Sequence, residues 1–251
     1  MRYTIASVAA LVFSLGAVSN APAADLPTKA PYGVADTVFS WSGIYVGLHA
    51  GYSWGSNRWT SGGVLEDPTI AVSPISPTTN SALGGVQAGA NYQAGNWVVG
   101  FEWDFAALGH KGSAAGTLTT VGVILPTTAT SKIDWLTQFT GRAGFALDRT
   151  LLYVKGGVAA GEAKDGFSLV SPIPLFLDFG TKSNLLTGWI GGAGVEHFFG
   201  PNWSGKIEYD YVDLGNTTET FSSAIAGGTI TVRQTIEHKL QIVKVGANYK
   251  F

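Results

Sequence analysis

Between Trp97 and Ala106 every second residue is large and apolar: Trp97, Val99, Phe101, Trp103 and Phe105. The residues between them include Gly100, Glu102 and Asp104. Side chains alternate faces along a strand. This run therefore sets an unbroken apolar row on one side and two carboxylates in line on the other. An ordinary water-facing sheet suits neither face. The row calls for an apolar medium, and the carboxylates call for water or partners. A strand with lipid outside and a polar interior behind it meets both demands. In lipid every backbone N–H and C=O must be satisfied by the protein itself, so strands can cross only as a closed barrel.

The same period recurs along the chain. Strands are expected at Trp41–Trp54, Ser81–Ala94, Trp97–Ala106, Lys132–Ala146, Leu151–Gly161, Leu185–Phe198, Trp203–Leu214 and Thr235–Phe251. Short turns join them at 95–96, 147–150 and 199–202. Stretches rich in Gly, Ser, Thr or Pro, at 55–80, 107–131, 162–184 and 215–234, read as long loops. Short and long connections alternate. The expected fold is all-β: a transmembrane antiparallel up-and-down barrel of eight strands, with short periplasmic turns and long extracellular loops. A water-soluble barrel would reverse the faces, apolar within and polar without.

Two strands need comment. The fourth is expected to turn Ile133, Trp135, Phe139, Ala143 and Phe145 outward, and Asp134, Gln138, Thr140 and Arg142 inward. The last ends with Val245, Ala247, Tyr249 and Phe251 on one face and Lys244, Gly246, Asn248 and Lys250 on the other. Its upper half puts Glu237, Lys239 and Gln241 on the lipid side. Either that half projects beyond the membrane or a bulge shifts its phase. The ending, with Gly246, Tyr249 and Phe251, is similar to the C-terminal signal read by the outer-membrane barrel assembly machinery.

Only 13% of residues are charged, half the usual share, while Gly reaches 34 residues and aromatics 12%. A net charge of −2 gives no case for nucleic acid as a partner. Cysteine is absent, which removes disulfides, thiolate metal sites and cysteine nucleophiles. Arg2, the apolar run Ile5–Val18 and the Ala21-Pro-Ala23 site form a Sec signal peptide over 1–23. Residues 24–40 read as a periplasmic lead-in and 41–251 as the barrel domain. The expected destination is the Gram-negative outer membrane. The expected partners are its lipid, lipopolysaccharide and the assembly machinery, with extracellular or host ligands met through the loops.

The inward face collects Glu102, Asp104, Asp134, Arg142, Lys155, Glu196, Lys206, Glu208, Asp210 and Lys244. An eight-stranded barrel is just wide enough for side chains to fill, and buried charges must pair. The set reads as an internal ion network that plugs the lumen, or alternatively as the lining of a narrow porin-like channel. His49 faces inward, His197 lies near the periplasmic end, and His110 and His238 fall at or near the loops. No His-Glu-x-x-His spacing or Gly-x-Ser-x-Gly elbow occurs, so neither a metal site nor catalysis is expected. Loop histidines and the apolar tip Ile173–Leu177 leave haemin as a candidate ligand.

Several runs in order carry a family resemblance: Ala24-Asp-Leu-Pro27, Trp41-Ser-Gly-Ile-Tyr-Val-Gly47, Gly141-Arg-Ala-Gly-Phe145, Leu152-Tyr-Val-Lys-Gly-Gly157, Gly192-Ala-Gly-Val-Glu196 and Val245-Gly-Ala-Asn-Tyr-Lys-Phe251. Together they resemble the small outer-membrane immunogenic proteins of alphaproteobacteria, an OmpA/OmpX-like barrel family with some haemin-binding members. The resemblance implies an eight-stranded barrel with a structural and surface-interaction role. It implies no catalytic residues, and loop ligands do not transfer with it.

Overall fold

The computed structural model describes residues 39–64, 71–120, 123–170, 176–225 and 228–251. The expected signal peptide and most of the lead-in lie outside these residues, as does most of the Ile173–Leu177 tip. The elements are β1 (Gly43–Val64), β2 (Ala71–Val72), β3 (Thr78–Ala94), β4 (Trp97–Thr120), β5 (Val123–Leu147), β6 (Thr150–Val170), β7 (Phe176–Phe198), β8 (Trp203–Ile225) and β9 (Gly228–Lys250). All pair antiparallel, in the order β3-β1-β9-β8-β7-β6-β5-β4, and β4 pairs back with β3. The ring is closed, with β2 a two-residue addition to the edge of β4. Closure runs between β9 and β1, from Tyr45 opposite Lys250 upward.

The expected eight strands are present, but among the described residues most of the stretches expected as long loops are strand. Most of 107–131 and 215–234 is paired strand, as are much of 55–80 and 162–184. A strand of 24 residues such as β4 spans roughly 80 Å, whereas a membrane needs only about 10 residues of it. Each hairpin thus carries its ladder well beyond the apolar belt. The Ser/Thr content of these stretches marks strands in water rather than loops.

The belt itself is written in the outward residues. Trp97, Tyr92, Trp203, Phe199 and Phe251 stand exposed near the short turns. Phe105 stacks on Trp135 at 6.3 Å, and Trp189 packs on Tyr211 at 5.4 Å, at the other edge of the belt. Between these two girdles lie Val46, Leu48, Val99, Phe101, Phe139, Val154, Val158, Ile207 and Val245, all exposed. Above the upper girdle the outward residues turn polar, with Lys111, Lys132, Lys164, Asn216 and Lys239.

Extra residues enter the ladder at this upper edge. β4 gains one against β5 between Ala107 and His110, β5 gains one against β6 between Ile133 and Leu136, and β8 gains one against β9 between Asp213 and Asn216. The β8 bulge uses Gly215 at φ 76°, a left-handed backbone that favours glycine. Two corrections follow. Ile133, expected outside, is fully buried in the lumen, and Asp134, expected inside, points outward between Lys132 and Lys164. The bulge at Asp134-Trp135 flips the phase of β5. For the last strand, the ladder to β1 runs without a shift from Lys250 to Gln234, so its upper half projects beyond the membrane and its polar residues need no bulge. One seam stays open: the β7–β8 ladder stops at Trp189 opposite Asp213, and above it Asn184 Nδ2 donates to Glu219 Oε1 at 2.6 Å.

Candidate functional site in the barrel lumen

The lumen is filled in layers. At the periplasmic end Trp41, Val98, Ala146, Leu151, Tyr153 and Phe198 form an apolar floor, with Phe39 packed against it. Trp41 and Phe198 meet edge to face at 4.7 Å. Above this floor sits the ion network. A second apolar layer, including Leu83, Leu108, Ile133, Leu136, Ile190, Val212, Leu240 and Ile242, closes it from above.

The network brings together every residue of the expected inward set except Asp134. Lys206 Nζ lies 2.9 Å from Glu102 Oε2 and 3.4 Å from Glu208 Oε2. Lys155 pairs with Glu208 at 2.5 Å and Asp210 at 3.2 Å. Lys244 reaches Asp104 at 2.8 Å, Glu208 at 2.9 Å and Asp210 at 3.2 Å. Arg142 binds Glu196 at 3.1 Å. Four cations (Arg142, Lys155, Lys206, Lys244) thus face five carboxylates (Glu102, Asp104, Glu196, Glu208, Asp210), and all nine are buried. Every lysine bridges at least two carboxylates, so the pairs link strands across the barrel as well as along its wall. Of the inward set expected from sequence, only Asp134 lies elsewhere.

Neutral residues complete the network, although only charged side chains were expected in it. Tyr45 donates its hydroxyl to Glu102 at 2.8 Å and Tyr153 donates to Glu208 at 2.6 Å. The Arg142 guanidinium lies over both rings, 4.6 Å and 5.4 Å from their centres. Its Nε donates to Asn91 at 2.8 Å. Asn248 Nδ2 and Ser204 Oγ both donate to Glu196, and Gln87 donates to Asn248. Their inward phase in the alternation was the available signal. Glycines make room for this crowding: a Cβ on Gly194 would sit 2.6 Å from the Tyr153 hydroxyl.

A second polar layer lies above the apolar one. Asn57 Nδ2 donates to Ser131 Oγ at 2.7 Å, and His238 Nε2 lies 3.4 Å from Asp165 Oδ2. His110 shares a hydrogen bond with Ser53 at 3.0 Å. Both histidines, expected at the loops, have no exposure and face the lumen. His110 follows the inward phase of β4, which continues where a loop was expected, and His238 follows that of β9 within the last expected strand. His49 faces inward as expected, 3.4 Å from Asp104. Trp59 caps this layer, stacked on Phe167 at 6.4 Å and on Phe221 at 5.9 Å, with the two phenylalanine rings tilted against each other at 6.0 Å. Among the described residues no group of three or more His, Asp or Glu is arranged to hold a metal ion.

The end of β9 keeps its expected faces. Val245, Ala247 and Phe251 are exposed, and Lys244 is buried. Tyr249 packs between Trp203 and Phe251, with centroids 5.2 Å from each, in the lower girdle. Gly246 lies against the wall of β1, where a Cβ would stand 3.1 Å from the Leu48 carbonyl oxygen.

Known proteins are similar to this chain in sequence and in fold. The model of the outer membrane protein beta-barrel domain matches residues 8–251. The 31 kDa outer-membrane immunogenic protein of Brucella melitensis is 33% identical over 256 residues, covering 98% of each chain. The 22 kDa outer membrane protein of Rhizobium leguminosarum is 31% identical over 230 residues, covering 85% of this chain and 86% of its own. Among solved structures, the outer membrane protein OprG of Pseudomonas aeruginosa superposes with a TM-score of 0.52 at 14% identity, over 86% of this chain and 99% of that one. That likeness concerns the fold alone. An aromatic-girdled closed ring, a lumen filled with buried charged and apolar side chains, and relatives matched along nearly their whole length agree: this chain belongs to the outer-membrane β-barrel family and, within it, to the small immunogenic proteins it resembled in sequence.

Proposed function

We propose that this outer-membrane barrel is a plugged, non-catalytic scaffold. It anchors in the envelope through its aromatic-edged belt and presents its projecting hairpins outside the cell. The observation that carries this reading is the ion network: the side chains of Lys155, Lys206, Glu208 and Asp210 are fully buried, with an apolar layer on each side. A conducting pore needs a continuous wetted path past its charges. Here the charges are consumed in pairing. The immunogenic relatives support surface presentation by the hairpins. The haemin alternative is weakened because His110 and His238 point into the lumen. In the same proposal residues 1–23 direct export, and Gly246, Tyr249 and Phe251 guide assembly. Lipid and lipopolysaccharide surround the belt.

Planar-bilayer recording on the folded protein tests the plug. The expected trace is free of stable openings. Sustained conductance of porin size would overturn it.

A further inference from the structure

We infer that the outer wall of β4–β6, just above the upper girdle, is a binding site for the phosphate groups of an outer-leaflet lipid. The inference rests on the outer-membrane reading, which sets this height at the headgroups. The register places Lys111 opposite Lys132 and Lys132 opposite Lys164, three lysines side by side on adjacent strands. All three point outward; the Lys132 and Lys164 side chains are 39% and 38% exposed. Like charges directly opposite one another across a ladder destabilise it. Asp134 offsets part of that cost for Lys132 and Lys164, and a bound anion would remove the remainder, which falls on Lys111.

One rung further out the register aligns Ser113, Thr130, Gly166 and Thr181. Gly166 leaves a gap in this hydroxyl row. A Cβ there would sit 2.7 Å from Thr130 Oγ1 and 3.2 Å from Thr181 Oγ1. The result is a recess of about 480 Å³ lined by the three lysines and by Ser113, Thr130 and Thr181. Among the described residues no carboxylate lines it. Ammonium and hydroxyl donors around a recess match the oxygens of a phosphate, which accept several charge-assisted hydrogen bonds at once.

Two acids lie one rung closer to the girdle. Asp134 pairs with Lys132, and with Lys164 at 2.7 Å. Glu162 accepts from Ser183 at 2.5 Å. Three lysines against these two acids leave one positive charge over. Lys111, among the described residues, has no ion-pair partner. On the opposite wall at the same height Lys239 has its own acid, Glu237, at 3.1 Å, and faces Ser56 and Asp213 rather than other lysines. The one unpaired charge of the row thus sits beside the Phe105–Trp135 stack that marks the edge of the lipid. That proximity favours a lipid headgroup over free phosphate.

The test uses the full folded protein in an uncharged detergent, with adducts counted by native mass spectrometry. The probes are bisphosphorylated lipid A, the same lipid stripped of phosphate, and inorganic phosphate as competitor. The expected result is binding about tenfold tighter for the phosphorylated lipid. That preference is lost in Lys111→Gln/Lys132→Gln/Lys164→Gln, reduced in Gly166→Ser, which fills the recess without changing charge, and kept in Lys239→Gln. Equal binding of the two lipids, or a triple variant that keeps the preference, overturns the site. Inorganic phosphate competing as well as the lipid overturns the lipid assignment. Should the triple variant not fold, Lys111→Gln and Gly166→Ser decide in the same way. Heat-modifiable migration is scored on every sample: its loss in the unaltered protein counts against the barrel, whereas a folded barrel without phosphate preference counts against this site alone.

Discussion

Glu208 shows what one residue does in this lumen. It touches Lys155, Lys206, Lys244 and Tyr153, so three cations lose a partner if it is removed. A buried ion left without its counter-charge costs several kcal/mol, and each lysine here keeps at least one other carboxylate. Glu208→Leu is expected to lower stability by about 3 kcal/mol, toward the lower end for a broken buried pair, read as urea unfolding in lipid vesicles. A change within experimental error would show that the network is not a stabilising unit. Asp134, on the outer surface, offers a gentler case. Hydrogen bonds from Lys132 and then Lys164 hold its carboxyl below the usual range. A depressed carboxyl stabilises the fold above its unfolded pKa and loses that contribution as pH falls through its folded value. Exposure keeps the effect small. An NMR titration should find the Asp134 midpoint low in the unaltered protein and moved upward in Lys132→Gln. A midpoint unmoved by that substitution would remove the assigned cause.

At the scale of the strand, the bulges decide which parts of this barrel could be read in advance. Wherever the ladder is regular, alternation placed the side chains correctly: Glu102 and Asp104, Tyr153 and Lys155, Lys206 and Glu208 all face the lumen. An added residue leaves no mark in composition, so the phase of β5 was carried upward unshifted, and Ile133 and Asp134 were exchanged. The long strands were hidden for another reason. Beyond the lipid the outward face is Ser, Thr and Lys, and the inward face is mixed, as in Thr127, Ala129, Ser131 and Ile133. Without an apolar outer row, half of the pattern that identified the strands is gone. Prolines added to the loop reading, yet Pro126 pairs with Thr117 within the β4–β5 ladder, where Thr117 turns its own N–H and C=O to Ser73, so the missing N–H of Pro126 leaves no bond to Thr117 unmade. The Gly215 bulge gives a direct check. At φ 76° a Cβ is strained, so Gly215→Ala should cost about 1 kcal/mol, whereas the same change at Gly141, where an added Cβ meets nothing closer than 4.0 Å, should cost less. Equal effects at the two sites would mean that the left-handed backbone at the bulge is not what requires glycine.

For the whole molecule the layers imply two storeys that share strands but not cores. The lower storey holds the apolar floor, the ion network and the layer of Leu136, Ile190 and Ile242, all within the lipid belt. The upper storey holds Trp59, Leu118, Ala129, Phe167, Phe221 and Ile236 beyond the membrane. The polar layer of Asn57, Ser131, Asp165 and His238 lies between the two apolar clusters. If the lower storey carries its own stability, the upper one can be shortened without losing the barrel. The β4–β5 hairpin is the place to test this, because Gly112 pairs with Ser131 at the boundary and Ser113 with Thr130 just above. Deleting residues 113–130 and joining Gly112 to Ser131 by an Asn-Gly turn restores a regular hairpin end. The deletion removes Leu118 and Ala129 from the upper cluster and nothing from the network. The shortened protein should still show heat-modifiable migration and strands protected in lipid, while proteolysis of the remaining upper hairpins becomes faster. Loss of the folded band would mean that membrane and projecting halves form one cooperative unit, and the ion network would then be insufficient to hold the lower half alone.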